Sequence, residues 1–411
     1  MRGSAGVFDV AVIGAGAAGM MAAAMAGQRG LQVALIDHAA KLAEKIRISG
    51  GGRCNFTNIG TGPANFLSQN PNFCRSALAA YTPRDFIDLV ERYGIGWHEK
   101  HRGQLFCNDS SESIIDLLRR ECDLGRVAWR MPCSVAAVAR GNGIFTLRTS
   151  LGEIRAHQLV LACGGMAIPQ LGATDFALGL ARQFGLKVVE PRPALVPLTF
   201  EPEHWKAFGT LSGVALEVNV RTGAGKGGTQ FLEDLLFTHR GLSGPAILQI
   251  SSFWNPGEPI VLDLAPGRDL EHELLGAKAG NRQQLGSVLS TLWPRRLAEQ
   301  WLANARDAQH DIAVMRMADA PDRLLRSLAG QIHRWPLVPT GTAGYKKAEV
   351  MRGGVDTRAL DQKTMQVKSV PGLYIVGEAL DVTGWLGGYN FQWAWASGAA
   401  CGRALQRLQR S

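Results

Sequence analysis

Two glycine-rich runs near opposite ends of the sequence are the strongest candidates for chemistry. Near the N-terminus, Gly14, Gly16 and Gly19 form a Gly-x-Gly-x-x-Gly pattern between an apolar run and an alanine-rich run. Near the C-terminus, residues 384–390 read Gly-Trp-Leu-Gly-Gly-Tyr-Asn and also stand between two apolar segments. A strand, a glycine turn and a helix N-terminus together bind anions. The two runs therefore predict one long nucleotide held from both ends.

The N-terminal run has the spacing of a dinucleotide-binding fingerprint. Gly14 permits a tight turn, Gly16 lets the backbone approach a pyrophosphate, and Gly19 lets a helix pack closely on a strand. Asp37 ends the next predicted strand, where a carboxylate can bind a ribose hydroxyl and would repel a 2′-phosphate. This context favours a dinucleotide over a glycine turn without a ligand. The residues predicted to line this part of the site are Gly14, Ala15, Gly16, Ala17, Ala18, Gly19, Asp37 and His38.

Three consecutive glycines at residues 50–52, with polar neighbours on both sides, are a third candidate. Such a run is a poor helix or strand, because glycine has a high conformational entropy in the unfolded chain. It can nevertheless wrap its backbone around a phosphate or another ligand oxygen. A flexible loop is the alternative. The residues predicted to form this wrap are Lys45, Ile46, Ser49, Gly50, Gly51, Gly52, Arg53, Cys54 and Asn55.

A phosphate-binding turn needs a strand before it and a helix after it, and the apolar patterns supply both. The strands are predicted at residues 9–13, 32–36 and 158–163, with a β-rich stretch at 127–160 and a hairpin turn at 141–143. The helices are predicted at residues 17–29, 73–80, 83–93, 111–124 and 175–184, with an amphipathic helix at 391–408.

The composition changes near residue 191, where short strands with glycine turns replace the alternating strands and helices. Nucleotide-binding signatures return only near the C-terminus, so the first domain is interrupted. We predict an α/β chain with a discontinuous nucleotide-binding domain at residues 1–190 and 341–411. A β-barrel-like insert is expected at residues 191–268 and 331–340, and a helical insert subdomain at residues 269–330.

Composition excludes several classes of protein. The 411 residues suffice for two or three domains, and 46% hydrophobic content is ordinary for a globular protein. The seven cysteines form no Cys-x-x-Cys pair, so we expect neither a disulfide framework nor a metal site, and a cytoplasmic location. A net charge of +9 is mild for this length, and we expect no nucleic-acid partner and no membrane span. The oligomeric state is not predicted.

Four runs resemble the HI0933-like flavoprotein family, which includes proteins labelled aminoacetone oxidase family and bile-acid reductase-like. They are Ser-Gly-Gly-Gly-Arg-Cys-Asn-Phe-Thr-Asn at residues 49–58, Leu-Ala-Cys-Gly-Gly at 161–165, Phe-Thr-His-Arg-Gly-Leu-Ser-Gly-Pro at 237–245, and Gly-Glu-Ala-Leu-Asp at 377–381 with Gly-Gly-Tyr-Asn at 387–390. The resemblance implies bound FAD on a glutathione-reductase-like Rossmann domain, with an inserted small β-barrel and a helical subdomain.

The resemblance also implies roles for single residues. Val135 would offer its backbone to the adenine, and Glu378 would bond the ribityl chain. The further residues implied near the cofactor are Ala162, Cys163, Gly164, Gly165, Gly377, Asp381, Gly388, Tyr389 and Asn390. Two positions depart from the family pattern. Cys163 replaces the usual threonine, and Gln104 stands where arginine is more frequent, which puts a substrate contact there in doubt.

The implied reaction is hydride transfer between flavin N5 and a small organic substrate. Reduction by transiently bound NAD(P)H would make the protein a reductase, and reoxidation by oxygen would make it an oxidase. The helix after Asn390 would direct its partly positive N-terminus at the reduced ring. An FAD-dependent enzyme that modifies RNA and a non-catalytic flavin redox sensor are the alternatives.

Three other features have two interpretations each. His239 is a candidate proton donor or a structural histidine at a domain junction, and Tyr389 is a candidate acid or a packing residue for the flavin. Residues 223–228 also read Gly-x-Gly-x-x-Gly, which suggests either a separate NAD(P)H domain or a hairpin tip or mobile loop. The hairpin tip or mobile loop is favoured because neither an alanine-rich helix nor a second βαβ unit follows. The arginines of the helical insert suggest a solvated surface or a basic face; they are Arg295, Arg296, Arg306, Arg316, Arg323 and Arg326.

Overall fold

A computed structural model describes residues 6–223, 228–304 and 312–407. The chain forms two compact units, one comprising Met1–Arg192 and Val350–Ser411 and the other comprising Pro193–Glu349. The first unit is therefore discontinuous in sequence.

Both units contain strands and helices. The strands are β1 (Phe8–Ile13), β2 (Val33–Ile36), β3 (Asn55–Asn58), β4 (Phe66–Leu67), β5 (Trp97–Glu99), β6 (Gln104–Cys107), β7 (Ala128–Arg130), β8 (Val135–Gly141), β9 (Ile144–Thr149), β10 (Gly152–Leu161), β11 (Val188–Ala194), β12 (Leu198–Thr199), β13 (Ala215–Thr222), β14 (Thr229–Thr238), β15 (Gly241–Ser243), β16 (Ile260–Asp263), β17 (Trp335–Leu337), β18 (Gly341–Thr342), β19 (Val350–Val355), β20 (Leu373–Ile375) and β21 (Thr383–Gly384). The α-helices are α1 (Ala17–Gln28), α2 (Glu44–Ile48), α3 (Arg75–Ala80), α4 (Pro83–Arg92), α5 (Glu112–Leu124), α6 (Phe176–Gln183), α7 (Pro202–Gly209), α8 (Pro245–Ser251), α9 (Leu270–Gly276), α10 (Leu285–Leu289), α11 (Arg295–Asn304), α12 (Asp322–His333) and α13 (Tyr389–Ala404).

Five parallel strands form the centre of the first unit, in the order β7, β2, β1, β10 and β20. Val12 of β1 lies between Leu35 of β2 and Val160 of β10, and all three side chains are fully buried. Continuous apolar runs suit strands that are covered on both faces. The five strands form a parallel, Rossmann-type sheet, which confirms the predicted α/β fold class.

The hairpin predicted at residues 141–143 is confirmed. β8 and β9 pair in antiparallel fashion up to Gly141 and Ile144. Asn142 and Gly143 connect them with φ angles of 51° and 75°. Two successive positive φ values match the twist of a tight β-hairpin, and asparagine followed by glycine tolerates them best.

The C-terminal helix α13 is not amphipathic, so this prediction is wrong. Its residues from Gln392 to Gly402 are all buried. α1 contacts it on one side, and α3 and β3 contact it elsewhere. A Cβ at Gly398 would lie 2.5 Å from the Ala18 carbonyl oxygen, so the two helix backbones touch. A helix covered all round is apolar all round.

The second unit contains a seven-stranded antiparallel sheet in the order β17, β16, β13, β14, β15, β12 and β18. Its two end strands are separated by only three residues, 338–340, so the sheet must curl until its ends are close together. The sequence predicts a small barrel here, but β17 and β18 are at opposite ends of the strand order, so closure of the sheet into a barrel stays a prediction. Trp205 stacks on Phe200 and lies near Phe237 in the core of this unit.

Two predicted boundaries differ from the compact units. The sequence predicts that the first domain resumes at residue 341, but the first unit resumes at Val350. The reason is that β18 pairs with β12 and so remains in the inserted sheet. The helices α9 to α12 also belong to the second unit and do not form a third one.

Candidate dinucleotide-binding site

The three glycines of the N-terminal loop have different surroundings. A Cβ at Gly14 would lie 2.4 Å from the Ala162 carbonyl oxygen, and one at Gly19 would lie 1.8 Å from the Gly14 carbonyl oxygen. Packing of the protein therefore requires both glycines. A Cβ at Gly16 would have no atom within 4 Å. Gly16 is the N-cap of α1, so the open space lies at a partly positive helix N-terminus, which suits a pyrophosphate.

Asp37 closes this loop from the end of β2. Its Oδ2 accepts a hydrogen bond from the Ala15 backbone N–H at 2.7 Å, and its Oδ1 accepts one from the Ala39 N–H at 2.8 Å. The neighbouring His38 is exposed, with its Nδ1 3.7 Å from Asp37 Oδ1. The acid therefore lies directly against the glycine loop, where a dinucleotide would place its ribose.

The triple-glycine segment is a defined turn rather than a structureless loop. Gly50, Gly51 and Gly52 have φ angles of 58°, 65° and 84°, and Cys54 follows with a φ of 48°. Backbone hydrogen bonds anchor the turn, including one from the Ser111 N–H to the Gly52 carbonyl oxygen at 2.8 Å. A Cβ at position 51 or 52 would have no atom within 4 Å. This turn therefore presents an open backbone surface, as the predicted wrap requires.

Glu378 joins residues that are distant in sequence. Its Oε2 lies 2.8 Å from Lys45 Nζ, and its Oε1 accepts a hydrogen bond from the Met351 backbone N–H at 2.9 Å. A Cβ at Gly165 would lie 2.9 Å from Glu378 Oε1, and one at Gly164 would lie 3.8 Å from Oε2. Four predicted site residues thus meet at one carboxylate. Sequence reasoning missed Met351, because a backbone N–H leaves no signal in a side-chain motif.

Every glycine of the C-terminal loop is packed against protein atoms. A Cβ at Gly388 would lie 2.4 Å from the carbonyl oxygen of Thr57, and one at Gly387 would lie 2.7 Å from the side chain of Gln104. A Cβ at Gly384 would lie 2.9 Å from the Cβ of Tyr389. The close approach of the loop to β6 and β3 explains Gly387 and Gly388, whereas Gly384 is crowded by the start of α13 and by Phe66 of β4.

The Asn390 side chain stabilises the C-terminal glycine loop. Its Oδ1 accepts a hydrogen bond from the Gly384 N–H at 2.8 Å, and its Nδ2 donates to the Gly384 carbonyl oxygen at 2.9 Å. The Tyr389 ring packs edge-on against Phe66, with ring centroids 6.4 Å apart. α13 begins at Tyr389, so the loop ends at a helix N-terminus as the sequence predicts.

Polar residues of β3 hold the C-terminal loop, and sequence reasoning did not single out all of them. The buried Asn58 donates through Nδ2 to the carbonyl oxygens of Gly387 and Arg102, both at 3.0 Å. The buried Thr57 donates to Gln392 Oε1 at 2.7 Å. The Asn-Phe-Thr-Asn run was visible in the sequence, but its partners are more than 40 residues away.

Comparison with known proteins places this geometry in a family. The family model described as "HI0933-like protein Rossmann domain" matches residues 8–404. The chain belongs to the HI0933-like family. The ribosomal RNA dihydrouridine synthase of Escherichia coli (strain K12) is 47% identical over 97% of this chain and 98% of that protein. The protein of the same name from Haemophilus influenzae is 44% identical over 96% of this chain and 98% of its own length.

A more distant relative carries a different name. The 3-dehydro-bile acid delta(4,6)-reductase of Clostridium scindens is 27% identical over 96% of this chain and 98% of that protein. All three relatives are matched along almost their whole length, so the shared features cover both compact units of this HI0933-like chain.

The segment that the sequence predicts beside an adenine is positioned through backbone contacts. The Cys133 N–H donates to the Asp37 carbonyl oxygen at 2.6 Å. The segment that leads into β8 therefore runs beside the acid that closes the glycine loop. Val135 is the first residue of β8 and pairs with Thr149 of β9. Its role toward an adenine remains a prediction.

Cys163 departs from the HI0933-like pattern without becoming reactive. Its thiol donates to the Ile13 carbonyl oxygen at 3.4 Å. Burial, followed by the nearby Asp37 charge, raises the pKa of the Cys163 thiol to about 12. Burial also raises the pKa of the Cys54 thiol. Both thiols are therefore protonated at neutral pH, which favours a structural role over a redox role for these two cysteines.

Two further predicted cofactor residues are bonded within the protein. Asp381 is buried and accepts a hydrogen bond from the Gln69 N–H at 2.8 Å. Burial is the largest influence on the pKa of Asp381 and raises it. The Gly377 carbonyl oxygen accepts a hydrogen bond from Trp393 Nε1 at 3.1 Å, and its N–H donates to Ser397 Oγ at 3.0 Å. These contacts attach the segment after β20 to α13.

His239 belongs to the second unit. It lies in the exposed turn between β14 and β15, where Thr238 Oγ1 donates to the Gly241 carbonyl oxygen at 2.9 Å. Its role as a proton donor remains a prediction. β13 and β14 pair in antiparallel fashion up to Thr222 and Thr229, so residues 223–228 connect two paired strands. Residues 224–227 themselves lie outside the described residues.

The arginines of the helical insert are largely engaged within the protein. Arg295 pairs with Glu299 at 2.6 Å, Arg326 pairs with Glu271 at 3.3 Å, and Arg296 donates to the Thr210 carbonyl oxygen. Arg306 lies outside the described residues, whereas Arg316 and Arg323 lie on the surface. These contacts favour an ordinary solvated surface over a shared basic face.

Residues 6–223, 228–304 and 312–407 contain neither a candidate metal site nor a candidate membrane span. No three His, Cys, Asp or Glu side chains in these ranges are grouped so that they could hold a metal ion. No helix there has the length and apolar character needed to cross a bilayer.

Proposed function

We propose that this protein is an FAD-dependent reductase that converts a uridine of ribosomal RNA to dihydrouridine. The observation that carries the proposal is the match to two ribosomal RNA dihydrouridine synthases at 47% and 44% identity, each over at least 96% of this chain. Both compact units take part in that match. The oxidoreductase-type Rossmann unit and the reductase name of the third relative support the same reaction class.

The residues present fit a dinucleotide such as FAD. The open space at Gly16 lies at the N-terminus of α1, and Asp37 is held beside it. Gly51 and Gly52 supply a second open backbone surface. Lys45 and Glu378 form an ion pair that a bound ribityl chain would rearrange. When bound and reduced, FAD supplies a hydride equivalent.

The reaction adds two hydrogen atoms across the C5–C6 double bond of uracil. The hydride equivalent goes to one carbon and a proton goes to the other, while the π bond between them is lost. NAD(P)H is the proposed source of the two electrons. The N-terminus of α13 would stabilise negative charge on the reduced ring. Tyr389 is the proposed proton donor in the first unit, with His239 as the second candidate.

The proposed RNA substrate departs from the expectation drawn from charge. That expectation rested on a net charge of +9 in 411 residues, which averages over both units. A local basic surface is sufficient to bind RNA, because the phosphate contacts are made by a few side chains. The expectation of no nucleic-acid partner therefore stays a prediction that the experiment below decides.

The test is dihydrouridine formation in purified rRNA that lacks the modification. The protein, FAD and NADPH or NADH are incubated with the RNA, and the nucleosides are analysed by mass spectrometry. We expect a uridine that gains the mass of two hydrogen atoms. A Gly16→Asp variant is the control, because its side chain enters open space but places a negative charge where the pyrophosphate belongs. Flavin-loaded protein that leaves every uridine unchanged contradicts the proposal.

A small-molecule reductase is the second candidate, since the bile-acid relative covers 96% of the chain at 27% identity. It would reduce a carbon–carbon double bond conjugated to a carbonyl group. Anaerobic oxidation of the reduced flavin by unsaturated ketones, but not by rRNA, would favour this candidate. Flavin that NAD(P)H does not reduce, and that neither substrate oxidises, would favour the redox sensor instead.

A further inference from the structure

A short basic turn projects from the first unit beside the C-terminal glycine loop. It joins β5 to β6 and reads Lys100-His101-Arg102-Gly103. The first three residues are exposed, whereas Gly103 is buried. Three consecutive basic side chains therefore face solvent at one hairpin tip.

The turn is held in one conformation by its own hydrogen bonds. The Lys100 N–H donates to the Gln104 carbonyl oxygen, and the Gln104 N–H donates to the His101 carbonyl oxygen, both at 3.0 Å. The Gly103 N–H donates to Glu99 Oε1 at 3.0 Å, which ties the base of the turn to the last residue of β5. Arg102 has a φ of 48°, a left-handed conformation that fits a tight turn. A fixed turn presents its charges with little loss of entropy on binding.

Asn58 connects this turn to the C-terminal glycine loop. Its buried side-chain amide donates to the Arg102 carbonyl oxygen and to the Gly387 carbonyl oxygen, both at 3.0 Å. The Ile59 N–H also donates to the Gly103 carbonyl oxygen at 2.9 Å. The side chain of Gln104 packs against Gly387. One buried amide thus separates the basic turn from the loop that the sequence predicts beside the flavin ring.

We infer that the turn of residues 100–103 binds the phosphates that flank the reacting uridine of the RNA substrate. The inference rests on the proposed function, because it takes the residue 384–390 loop as the reaction side of the site. Lysine and arginine bind phosphate through charge-assisted hydrogen bonds, and His101 adds a third donor. Ile59 is 52% exposed beside the turn and offers an apolar surface to a ribose or a base.

The experiment compares two double variants that lose the same charge. Lys100→Gln with Arg102→Gln removes the basic turn, and Arg120→Gln with Arg155→Gln removes two exposed arginines of the same unit from α5 and β10. All four side chains are exposed, so both variants should keep the wild-type unfolding temperature. Affinity for an unmodified rRNA fragment is measured at several salt concentrations, and dihydrouridine formation is measured in parallel.

We expect the turn variant to bind about 10-fold more weakly near ~0.1 M salt and to lower the slope of log K against log salt by about 1.4, roughly 0.7 for each lost phosphate contact on single-stranded RNA. The control variant should keep the wild-type slope. If the turn variant and wild type have equal salt slopes while wild type still reduces rRNA, the phosphate contact of the turn is refuted and the proposed function stands.

The proposed function fails in a different way. If wild-type protein leaves rRNA unreduced but binds it through the turn, the phosphate contact stands and the activity is refuted. If the wild type neither reduces rRNA nor shows turn-dependent binding, both are refuted.

Discussion

In the loop of residues 14–19, one glycine faces open space, whereas in the loop of residues 384–390 every glycine is packed against protein atoms. The open position is Gly16 at the N-terminus of α1. At Gly387 and Gly388, the space that a Cβ would need is instead occupied by the Gln104 side chain and the Thr57 backbone. The same residue type thus leaves room for a ligand in one loop and for the protein in the other. A glycine count predicts a tight turn in both cases, but only the neighbouring atoms distinguish the two uses.

Substituting a packed glycine of the first loop should have the largest effect. Gly14→Ala places a Cβ 2.4 Å from the Ala162 carbonyl oxygen and forces an alanine to a φ of 107°. We expect a loss of about 4 kcal/mol or more of unfolding free energy, or no folded protein. Urea denaturation without FAD measures it. A variant as stable as wild type would contradict the packing geometry of this loop.

The same change in the C-terminal loop tests whether its glycines are structural. Gly388→Ala has a φ of 95° and places a Cβ 2.4 Å from the Thr57 carbonyl oxygen. We expect a loss of about 3 kcal/mol in the flavin-free protein. Lost flavin content would then follow from instability. An equally stable apoprotein that binds FAD poorly would show that the ligand, and not β3, requires this glycine.

The open glycine should behave in the opposite way. Gly16→Ala has an ordinary φ of −86° and no atom within 4 Å of the new Cβ, so urea denaturation of the flavin-free protein should match wild type. The methyl group would occupy the space predicted for the pyrophosphate. We expect FAD affinity to fall about 10- to 100-fold, or roughly 1.4–2.7 kcal/mol, in a fluorescence titration. Unchanged FAD affinity would contradict the placement of the pyrophosphate at Gly16.

This contrast also explains which parts of the structure could be predicted from the sequence. The first strand, helix and second strand were predicted within a few residues, because their apolar periods and the glycine spacing are local. The burial of α13 could not be predicted in this way. Its apolar faces depend on α1, whose Ala18 lies about 380 positions earlier than Gly398 and allows the two backbones to touch.

The site shows the same division between local and long-range information. Asp37 and the glycine turns were predicted from spacing within one βαβ unit. The ion pair between Lys45 and Glu378 spans 333 positions, and the contact of Glu378 with the Met351 N–H involves a backbone group. Sequence reasoning named Lys45 and Glu378 as separate cofactor residues, but their pairing joins α2 to the segment after β20 and has no local signal.

Asn390 offers a smaller test of the C-terminal loop. Its amide exchanges two hydrogen bonds with the Gly384 backbone, so Asn390→Ala leaves part-buried groups without a partner. We expect a loss of about 1–2 kcal/mol of unfolding free energy in the flavin-free protein. Asn390→Asp is the matched variant, because it keeps an acceptor for the Gly384 N–H but places a carboxylate oxygen against the Gly384 carbonyl oxygen, so it should also be less stable than wild type. If Asn390→Ala changes only flavin binding, the amide faces the ligand.

The smallest expected effect concerns the thiols beside the two N-terminal turns. Burial raises the pKa of the Cys163 thiol to about 12, so this thiol stays protonated at pH 8. Burial raises the pKa of Cys54 as well. We expect negligible iodoacetamide labelling of both residues in native protein, measured by peptide mass spectrometry, and complete labelling of all seven cysteines in urea. Cys163 donates to the carbonyl oxygen of Ile13, the residue before Gly14. Rapid labelling of Cys163 would therefore mean that the first glycine loop opens, which would contradict its rigid packing.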